Sequence, residues 1–315
     1  MNIQFLKDVE EGLNSDPKFL SSKYFYDKIG DDLFVQIMNM PEYYLTRSEY
    51  EIFSDQSNEI IDALEINSNS YFELIELGAG DGLKTKALLN VLLDHKYQFD
   101  YIPVDISQNA LDDLEESLSK ELPSLTVKKK QGTYFEVLKS IKTSNHPKII
   151  LFLGSNIGNL LDHEAHNFLD QLASTLNKND KLLLGVDQIK SRDIVLPAYN
   201  DSNNITAKFN LNLLNRINKE FGANFELDSF NHVPEYTEQE GIAKSYLVSN
   251  KEQAIYIKAI NTTFNFLKGE KIHTEISRKY NDAILEKILS DTKFEIKSKF
   301  VDTKKYFADY IINKR

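Results

Sequence analysis

The amino-acid sequence predicts an α/β protein, in which a mainly parallel sheet ends in an antiparallel C-terminal strand and a smaller α+β domain accompanies it. The first observation is a series of continuous apolar segments at residues 71–77, 101–107, 148–154 and 181–187, typical of strands buried on both faces of a sheet. The second is that the segments between these strands have apolar residues at helical intervals of three and four. Strands that alternate with helices predict a parallel sheet covered by helices on both sides.

The helices that connect these strands have local signals. Ser107 is placed to cap the helix after the second strand, whose apolar positions are Ala110, Leu111, Leu114 and Leu118. The helix before the fourth strand repeats this pattern at Ala165, Phe168, Leu169, Leu172 and Leu176. Near the C-terminus, residues 283–291 predict a helix, and residues 294–302 and 306–313 predict two strands joined by a polar turn. The sheet is therefore expected to close with an antiparallel pair.

The alternation of strands and helices is interrupted after residue 190. Residues 205–222 predict a long amphipathic helix that ends at Gly222, and residues 241–259 predict an antiparallel hairpin. Residues 1–52 predict helices rich in tyrosine and phenylalanine. We expect these regions to form a second domain over the ligand edge of the sheet domain, with boundaries at 1–52 and 190–279 for the second domain, and 53–189 and 280–315 for the sheet domain.

The composition excludes several classes of function. The net charge of −11 makes phosphate backbones poor partners, so we expect no nucleic acid. No apolar run approaches the roughly 18 residues of a membrane span, and the acidic N-terminal segment is unlike a secretory signal. We therefore expect a cytoplasmic, monomeric protein without a membrane partner. The absence of cysteine excludes a thiolate nucleophile, and His163 and His166 lack the H-E-x-x-H spacing, so we expect no metal.

The segment Ile75–Gly82, with the sequence IELGAGDG, joins an apolar strand to three glycines. Glycines at a strand end let a ligand approach the backbone and expose N–H groups at the start of the next helix. The spacing lacks the third glycine of the dinucleotide fingerprint, which argues against a pyrophosphate. Asp105, at the tip of the second strand, can accept hydrogen bonds from both ribose hydroxyls. Gly78, Gly80 and Asp105 thus predict a nucleoside cofactor such as S-adenosylmethionine; the alternative is a tight turn with a capping aspartate.

Several further segments occur in the order and approximate spacing of one known family. From about residue 20 to the C-terminus, the chain resembles the L-histidine Nα-methyltransferases of ergothioneine biosynthesis. The glycine loop alone fits any class I methyltransferase, whereas two other segments are nearly private to this family. The segments that resemble it are YFYDKIGDDLF, PEYYLTRSE, ELGAGDGLKT, YIPVDIS, FLGSNIGNL, LLLGVD, FNLNLLNRIN and TEIS, and the most specific are PEYYLTR and FNLNLLNRIN.

The resemblance implies a Rossmann-like class I methyltransferase sheet, a substrate-binding domain and S-adenosylmethionine as cofactor. It implies that the chain transfers three methyl groups to the α-amine of L-histidine and so produces hercynine. In the family an aspartate and an aromatic residue hold the adenine edge, and this chain has Thr133 and Tyr134 there. The residues expected at the cofactor are Gly78, Gly80, Lys84, Asp105, Thr133, Tyr134 and Gly154.

The resemblance also implies a set of substrate residues. The amino acid is expected to contact Tyr26, Tyr43, Asn159 and Tyr199, and its imidazole is expected to contact Glu275 and Ser277. Ser245 stands where the bacterial histidine enzymes often have a methionine beside the ring. These residue types suit the substrate, because hydroxyls and an amide can donate to a carboxylate while a glutamate can accept from a ring N–H.

Methyl transfer from a sulfonium needs an oriented neutral amine and a site without water, rather than a nucleophilic side chain. We therefore expect no covalent nucleophile, with positioning by Tyr26 and Asn159. Two other functions remain open. One is N-methylation of a different amino acid, such as a tryptophan derivative, and the other is binding of S-adenosylmethionine without catalysis.

Overall fold

The computed structural model describes residues 2–134, 136–137, 144 and 146–315 of the chain. The chain divides into two compact units. Met1–Tyr43 and Lys190–Ser277 form the α+β unit, and Tyr44–Ile189 and Arg278–Arg315 form the Rossmann-like unit. The boundary expected after residue 52 falls inside a continuous helix, which belongs whole to the Rossmann-like unit because its apolar face packs there.

The described helices and strands follow one another along the chain. The helices are α1 (Ile3–Asn14), α2 (Lys28–Met38), α3 (Tyr44–Ala63), α4 (Leu83–Asp94), α5 (Gln108–Glu121), α6 (Asp162–Thr175), α7 (Arg192–Val195), α8 (Ile205–Phe221) and α9 (Asp282–Leu289). The strands are β1 (Lys18–Phe19), β2 (Phe72–Leu77), β3 (Phe99–Asp105), β4 (Thr126–Val127), β5 (Lys130–Gln131), β6 (Lys148–Phe152), β7 (Lys181–Asp187), β8 (Phe230–Thr237), β9 (Ile242–Ser249), β10 (Gln253–Ile257), β11 (Thr262–Phe266), β12 (Lys271–Arg278), β13 (Phe294–Val301) and β14 (Phe307–Lys314).

The sheet of the Rossmann-like unit has the strand order β13-β14-β7-β6-β2-β3-β4, and β5 also pairs with β3. The pairs from β7 to β4 are parallel, whereas β14 runs antiparallel to both β7 and β13. The predicted parallel sheet with an antiparallel C-terminal strand is therefore confirmed. The chain passes from β2 outward to β3 and later returns to β6 on the other side of β2. In such sheets, ligands bind at the carboxyl ends of the strands where the order reverses.

Both faces of this sheet are buried, which fixes the positions of the strand ends. One face packs against α6, through Phe168, Leu169 and Leu172. The other face packs against α3 and α4, through residues that include Ile52, Phe53, Leu88 and Leu89. Burial of these side chains removes them from water at a gain of about 1.5–3 kcal/mol each, so the strands are rigid supports for the loops that follow them.

The α+β unit is organised around α8, as the helical pattern of this segment predicted. Phe209, Leu213 and Ile217 of α8 are buried in one core with residues of the unit's sheet. Gly222 ends the helix with a φ of +64°, a conformation that glycine adopts without steric cost. The unit contains a four-stranded sheet of order β1-β12-β9-β8 and a separate pair of β10 with β11.

The hairpin expected at residues 241–259 is wrong in its pairing. The two strands in this segment, β9 and β10, pair antiparallel with different partners, β9 with β8 and β10 with β11. The turn before β9 contains Gly241, which has a φ of +62°. Asn261 supplies the corresponding left-handed residue before β11, with a φ of +51°. The segment therefore contains halves of two adjacent hairpins, which alternation alone does not distinguish from one hairpin.

Candidate active site

The glycine loop between β2 and α4 has the backbone conformation that a close ligand requires. Gly78, Gly80 and Gly82 have φ values of +75°, +54° and +65°. The carbonyl of Val104, at the end of β3, accepts hydrogen bonds from the N–H groups of Gly78 at 2.8 Å and Ala79 at 3.2 Å. These bonds hold the loop between the two strand ends. A Cβ at position 78 would lie 2.6 Å from Nδ2 of Asn156, so only glycine fits there.

Asp105 ends β3 beside this loop, and its carboxylate is engaged by backbone donors. One oxygen accepts from the N–H of Gly80 at 3.2 Å, and the other accepts from the N–H of Ser107 at 2.9 Å. Burial raises the pKa of Asp105, while these two hydrogen bonds and one from the N–H of Ile106 oppose the shift. A half-buried carboxylate held in this way has lone pairs left for two vicinal hydroxyls.

Thr133 and Tyr134 differ in their surroundings although they are adjacent. The hydroxyl of Tyr134 would lie 2.8 Å from a Cβ at Gly78, and its ring packs edge-on against Phe152 with 5.1 Å between the ring centroids. Burial and the Asp105 charge raise the pKa of Tyr134, so its phenol is neutral at physiological pH. Thr133 is exposed, and both its N–H and its hydroxyl bond to the Glu136 carboxylate at 2.8 Å. The N–H of Glu136 lies 3.4 Å from the Thr133 hydroxyl oxygen in return, which completes a capping box and gives the Thr133 side chain a structural partner.

Lys84 and Gly154 meet at a residue that the sequence patterns did not single out. The ammonium of Lys84 forms an ion pair with the Glu49 carboxylate, and the N–H of Gly154 donates to both Glu49 oxygens at 2.8 and 3.0 Å. Gly154 has a φ of +70°, and a Cβ there would lie 3.2 Å from the Lys84 nitrogen. Glu49 lies between buried Leu45 and Ile52 on the packed face of α3. A glutamate on an apolar helical face is the signal that could have identified it.

The loop after β6 places two asparagines differently. Asn156 is half-buried, and its Nδ2 donates to the carbonyl of Gly78 at 3.4 Å. Asn159 is exposed at the end of the short 3₁₀ turn Asn156–Asn159. Ser155 accepts the N–H of Asp187 at 3.0 Å through its hydroxyl, which ties this loop to the end of β7. Asn156 is therefore the side chain of this segment that contacts the glycine loop.

A buried polar cluster lies at the carboxyl end of β7. The Asp187 carboxylate accepts a hydrogen bond from the Tyr44 hydroxyl at 2.7 Å and an ion pair from the Lys279 ammonium at 2.8 Å. Asp187 and Lys279 are fully buried. Such a pair is costly to break because each charge would remain without compensation. It therefore fixes the start of α3 and the segment before α9 on the same strand end.

In the α+β unit, the residues expected at the imidazole lie together on the sheet. The hydroxyl of Ser245 in β9 donates to the carboxylate of Glu275 in β12 at 3.3 Å. Ser245 and Ser277 are buried, and Glu275 is half-buried. The hydroxyl oxygen of Thr274 lies 3.1 Å from the Ser245 carbonyl oxygen, so the two strands are adjacent at this point. The structure thus places a carboxylate beside a hydroxyl on this sheet.

The tyrosines expected at the amino acid are half-buried or buried in the same unit. Tyr26 and Tyr43 both pack against Phe34, with ring centroids 5.7 and 6.5 Å from it. Phe209 of α8 also contacts Tyr26, at 5.9 Å. Tyr199 is buried at the end of the 3₁₀ turn Leu196–Tyr199. Tyr26 and Tyr43 therefore belong to one aromatic group, which orients their rings.

The asparagines of α8 connect this helix to the segments that hold the predicted substrate residues. Asn210 accepts from the hydroxyl of Thr274 at 2.7 Å, one residue before Glu275. Asn212 donates to the carboxylate of Asp27 at 2.8 Å, one residue after Tyr26. The asparagines of FNLNLLNRIN thus act inside the unit and position its neighbouring segments.

The structure brings Gly78, Asp105, Lys84 and Gly154 to the loops at the carboxyl ends of β2, β3 and β6, and the Tyr134 hydroxyl lies near Gly78. The Thr133 side chain instead bonds to Glu136. Four of the six substrate residues expected in the α+β unit form two groups, Glu275 with Ser245 and Tyr26 with Tyr43, and the other two are the buried Tyr199 and Ser277. Asn159 belongs to the Rossmann-like unit. The part of the chain described here contains no helix long and apolar enough to cross a membrane.

The sheet order, the left-handed glycine loop and the acid at the end of β3 define a class I methyltransferase that depends on S-adenosylmethionine. Residues 5–314 match the family model described as histidine-specific methyltransferase, SAM-dependent. The chain belongs to this family.

Curated relatives agree with that assignment. The histidine N-alpha-methyltransferase of Mycolicibacterium smegmatis is 36% identical over 274 residues, which cover 87% of this chain and 84% of the relative. Ergothioneine biosynthesis protein 1 of Schizosaccharomyces pombe is 32% identical, and the match covers 94% of this chain but 39% of that protein. An L-tryptophan methyltransferase of Psilocybe serbica is 25% identical over 95% of this chain.

Proposed function

We propose that this enzyme methylates the α-amine of L-histidine three times and releases hercynine, a step of ergothioneine biosynthesis. The observation that supports this substrate most directly is the half-buried Glu275 carboxylate, which is hydrogen-bonded to Ser245 and lies two residues from the buried Ser277. An imidazole offers an N–H and a lone pair, and a carboxylate beside hydroxyls complements both. A ring without nitrogens would offer no N–H to the Glu275 carboxylate, and the lost hydrogen bond would cost about 1–3 kcal/mol.

The proposed cofactor-binding residues lie in the Rossmann-like unit. Asp105 would accept hydrogen bonds from the ribose, and the Gly78 backbone would lie against the nucleoside because no Cβ fits there. Tyr134 would contact the adenine through its ring. Lys84, whose ammonium lies near Gly154, would bind the carboxylate of the cofactor's amino-acid end.

Positioning provides the catalysis in this proposal. When bound, the cofactor supplies a sulfonium methyl that is already activated for displacement. The residues proposed to position the substrate are Tyr26 and Asn159, and the reaction would require a neutral amine nitrogen that is oriented toward that methyl carbon. In such a transfer the amine lone pair would form the N–C bond while the S–C bond breaks, and the bonding electrons would stay on the leaving sulfur. Each transfer that starts from an N–H releases one proton, and the third leaves a quaternary nitrogen with no N–H.

We also propose that the enzyme is a monomer whose only partners are small molecules. Two buried cores within the Rossmann-like unit and one within the α+β unit give the chain enough internal burial to function as a monomer. The net charge of −11 favours a small-molecule substrate over nucleic acid, and we propose a cytoplasmic location without a membrane partner.

A second candidate is N-methylation of a tryptophan derivative. Ser245 favours it, because a small residue in place of methionine leaves room for a different ring. The similarity to the L-tryptophan methyltransferase is consistent with this alternative. Glu275 opposes it, because an indole offers one N–H and no ring lone pair to a carboxylate and hydroxyl.

Release of S-adenosylhomocysteine from the purified enzyme, measured with each amino acid separately, distinguishes the two candidates. We expect turnover with L-histidine at a kcat/KM at least about tenfold above that for L-tryptophan, which corresponds to about 1.4 kcal/mol of discrimination. A higher kcat/KM for tryptophan or a prenylated derivative would show that this compound, and not histidine, is the substrate. No turnover with any amino acid would favour a binding protein instead.

A further inference from the structure

Glu49 connects three segments of the Rossmann-like unit, which are α3, α4 and the loop after β6. Its carboxylate on α3 receives the ammonium of Lys84 from α4 and the N–H of Gly154 from the loop after β6. The Glu49 side chain is fully buried, and that of Lys84 is 18% exposed. A buried carboxylate with two such donors holds both in fixed positions, because release of either would leave a charge or a donor unpaired.

The strand below Glu49 is shaped to admit this side chain. Gly185 in the middle of β7 lies opposite Asp309 of β14 in the sheet. A Cβ at position 185 would overlap an oxygen of Glu49 and lie 2.8 Å from an oxygen of Asp309. Glycine inside a buried strand commonly marks such a close approach. The two carboxyl groups therefore share the space above Gly185.

The two acids are not equivalent. Glu49 has a counter-charge, whereas both oxygens of the fully buried Asp309 have no hydrogen-bond partner among the described residues. Burial raises the pKa of Asp309 well above its usual range, and the negative charge of Glu49 raises it further. Burial alone would lower the pKa of Lys84, but the Glu49 carboxylate reverses this effect and raises it. The cluster thus contains an ion pair, Glu49 with Lys84, beside a second acid, Asp309, whose neutral form is favoured by burial.

We propose that Glu49 is a positioning residue for the amino-acid end of the cofactor. Glu49 holds the Lys84 ammonium and the Gly154 backbone in the positions where they would bind the cofactor's carboxylate and methionyl chain. The inference rests on the proposed cofactor role of Lys84 and extends it to a residue that does not itself contact the adenosine. Its consequence is selective. Loss of Glu49 should weaken ligands that have the amino-acid end and spare ligands that have only the nucleoside.

Two ligands separate these ends of the site by calorimetry. S-adenosylhomocysteine has the adenosine and the amino acid, whereas 5′-methylthioadenosine has the same thioether nucleoside without the amino acid. Glu49→Gln keeps the size of the side chain and removes its charge. We expect this variant to bind S-adenosylhomocysteine about tenfold more weakly, and to bind 5′-methylthioadenosine with unchanged affinity.

Matched variants test whether the effect arises from the contacts of Glu49. Asp309→Asn makes the same acid-to-amide change in the same buried cluster, and we expect it to leave both affinities unchanged. Lys84→Met should reproduce the selective loss. The double variant Glu49→Gln with Lys84→Met should bind S-adenosylhomocysteine no more weakly than Lys84→Met alone, because both changes remove one shared interaction.

The outcomes are distinct. Equal weakening of both ligands in Glu49→Gln, or selective weakening in Asp309→Asn, would show a structural role and overturn the proposal, as would unchanged or tighter binding of S-adenosylhomocysteine. If Glu49→Gln does not fold, Glu49→Asp retains the charge on a shorter side chain, and the same selective loss is expected. Absence of binding of either ligand to the unaltered enzyme would instead contradict the proposed cofactor site.

Discussion

The candidate cofactor residues of the Rossmann-like unit and the candidate substrate residues of the α+β unit differ in which part of the chain recognises the ligand. In the Rossmann-like unit the backbone forms most of the cradle, with Gly78, Gly80 and Gly154 in the left-handed region. In the α+β unit the candidate site consists of side chains, such as Glu275 with Ser245, that come from separate strands. A backbone cradle recognises a ligand common to many enzymes, whereas side chains can change specificity without changing the fold.

This difference predicts that substitutions in the two units separate into two kinds. Changes in the backbone cradle should reduce stability and cofactor binding together, because conformation and function depend on the same atoms. Changes on the substrate side should alter the Michaelis constant for the amino acid while the fold is retained.

Gly78→Ala is expected to have the largest effect. Its φ of +75° strains any side chain, and its Cβ would lie 2.6 Å from Asn156 and 2.8 Å from Tyr134. Strain and overpacking together should lower the free energy of unfolding by about 2–4 kcal/mol, as measured by urea titration. Gly269→Ala has a φ of +86° and no atom within 4 Å of the new Cβ, so it isolates the strain. An equal loss of unfolding free energy in both variants would show that close packing around Gly78 adds nothing to the backbone strain.

The buried Glu76 of the Rossmann-like unit should make the free energy of unfolding depend on pH. Burial raises its pKa to about 7, although hydrogen bonds from Tyr101 and Thr85 and the charge of Lys84 oppose the shift, while the charge of Glu49 adds to it. The folded state therefore retains a proton that the unfolded state has lost above its own lower pKa. Stability should fall as the pH rises from about 4.5 to about 7, by roughly 3 kcal/mol for this group.

Glu76→Gln should flatten that fall, which urea titrations across this pH range would reveal. The exposed Glu116 of α5 provides the control, because Glu116→Gln makes the same change where the carboxylate is in water. An unchanged pH profile in Glu76→Gln would show that Glu76 does not titrate in this range.

Glu275→Gln should act on the substrate alone. Loss of the charge should raise the Michaelis constant for histidine by about tenfold to a hundredfold, equivalent to about 1–3 kcal/mol, while the constant for S-adenosylmethionine stays the same. Glu235→Gln is the matched control, since Glu235 is an exposed glutamate of β8 in the same sheet. Equal changes for both substrates would remove Glu275 from the imidazole role.

Asn212→Ala should have the smallest effect. It removes the hydrogen bond to Asp27, next to Tyr26, and should lower stability by about 1 kcal/mol with a few-fold rise in the Michaelis constant for histidine. Asn90→Ala serves for comparison, because the Asn90 amide bonds within its own helix, to the carbonyl of Lys86. A loss of cofactor affinity in Asn212→Ala would contradict the division between the two sides.

The parts of the molecule that local rules determine were predictable from the sequence. The buried strands, the glycine loop and the helix ending at Gly222 all follow from periodicity and from the conformations that glycine permits. The pairing of β9 and β10 was not predictable, because an alternating pattern does not specify which neighbour a strand selects.

The candidate site divides in the same way. The family pattern indicated Lys84 and Gly154, but no local rule indicated that Glu49, distant in the chain, would receive both of them. Such contacts depend on the packing of three elements, and sequence shows only that a glutamate lies on an apolar helical face. The same limit applies to Asn210 and Asn212, whose partners lie in other segments.

Mass spectrometry of the products from L-histidine and S-adenosylmethionine tests the central claim most directly. The account predicts a product heavier by three methyl groups, with fragments that place all of them on the α-nitrogen. Methyl groups on the imidazole, or unmodified histidine under conditions in which a tryptophan derivative is methylated, would contradict it.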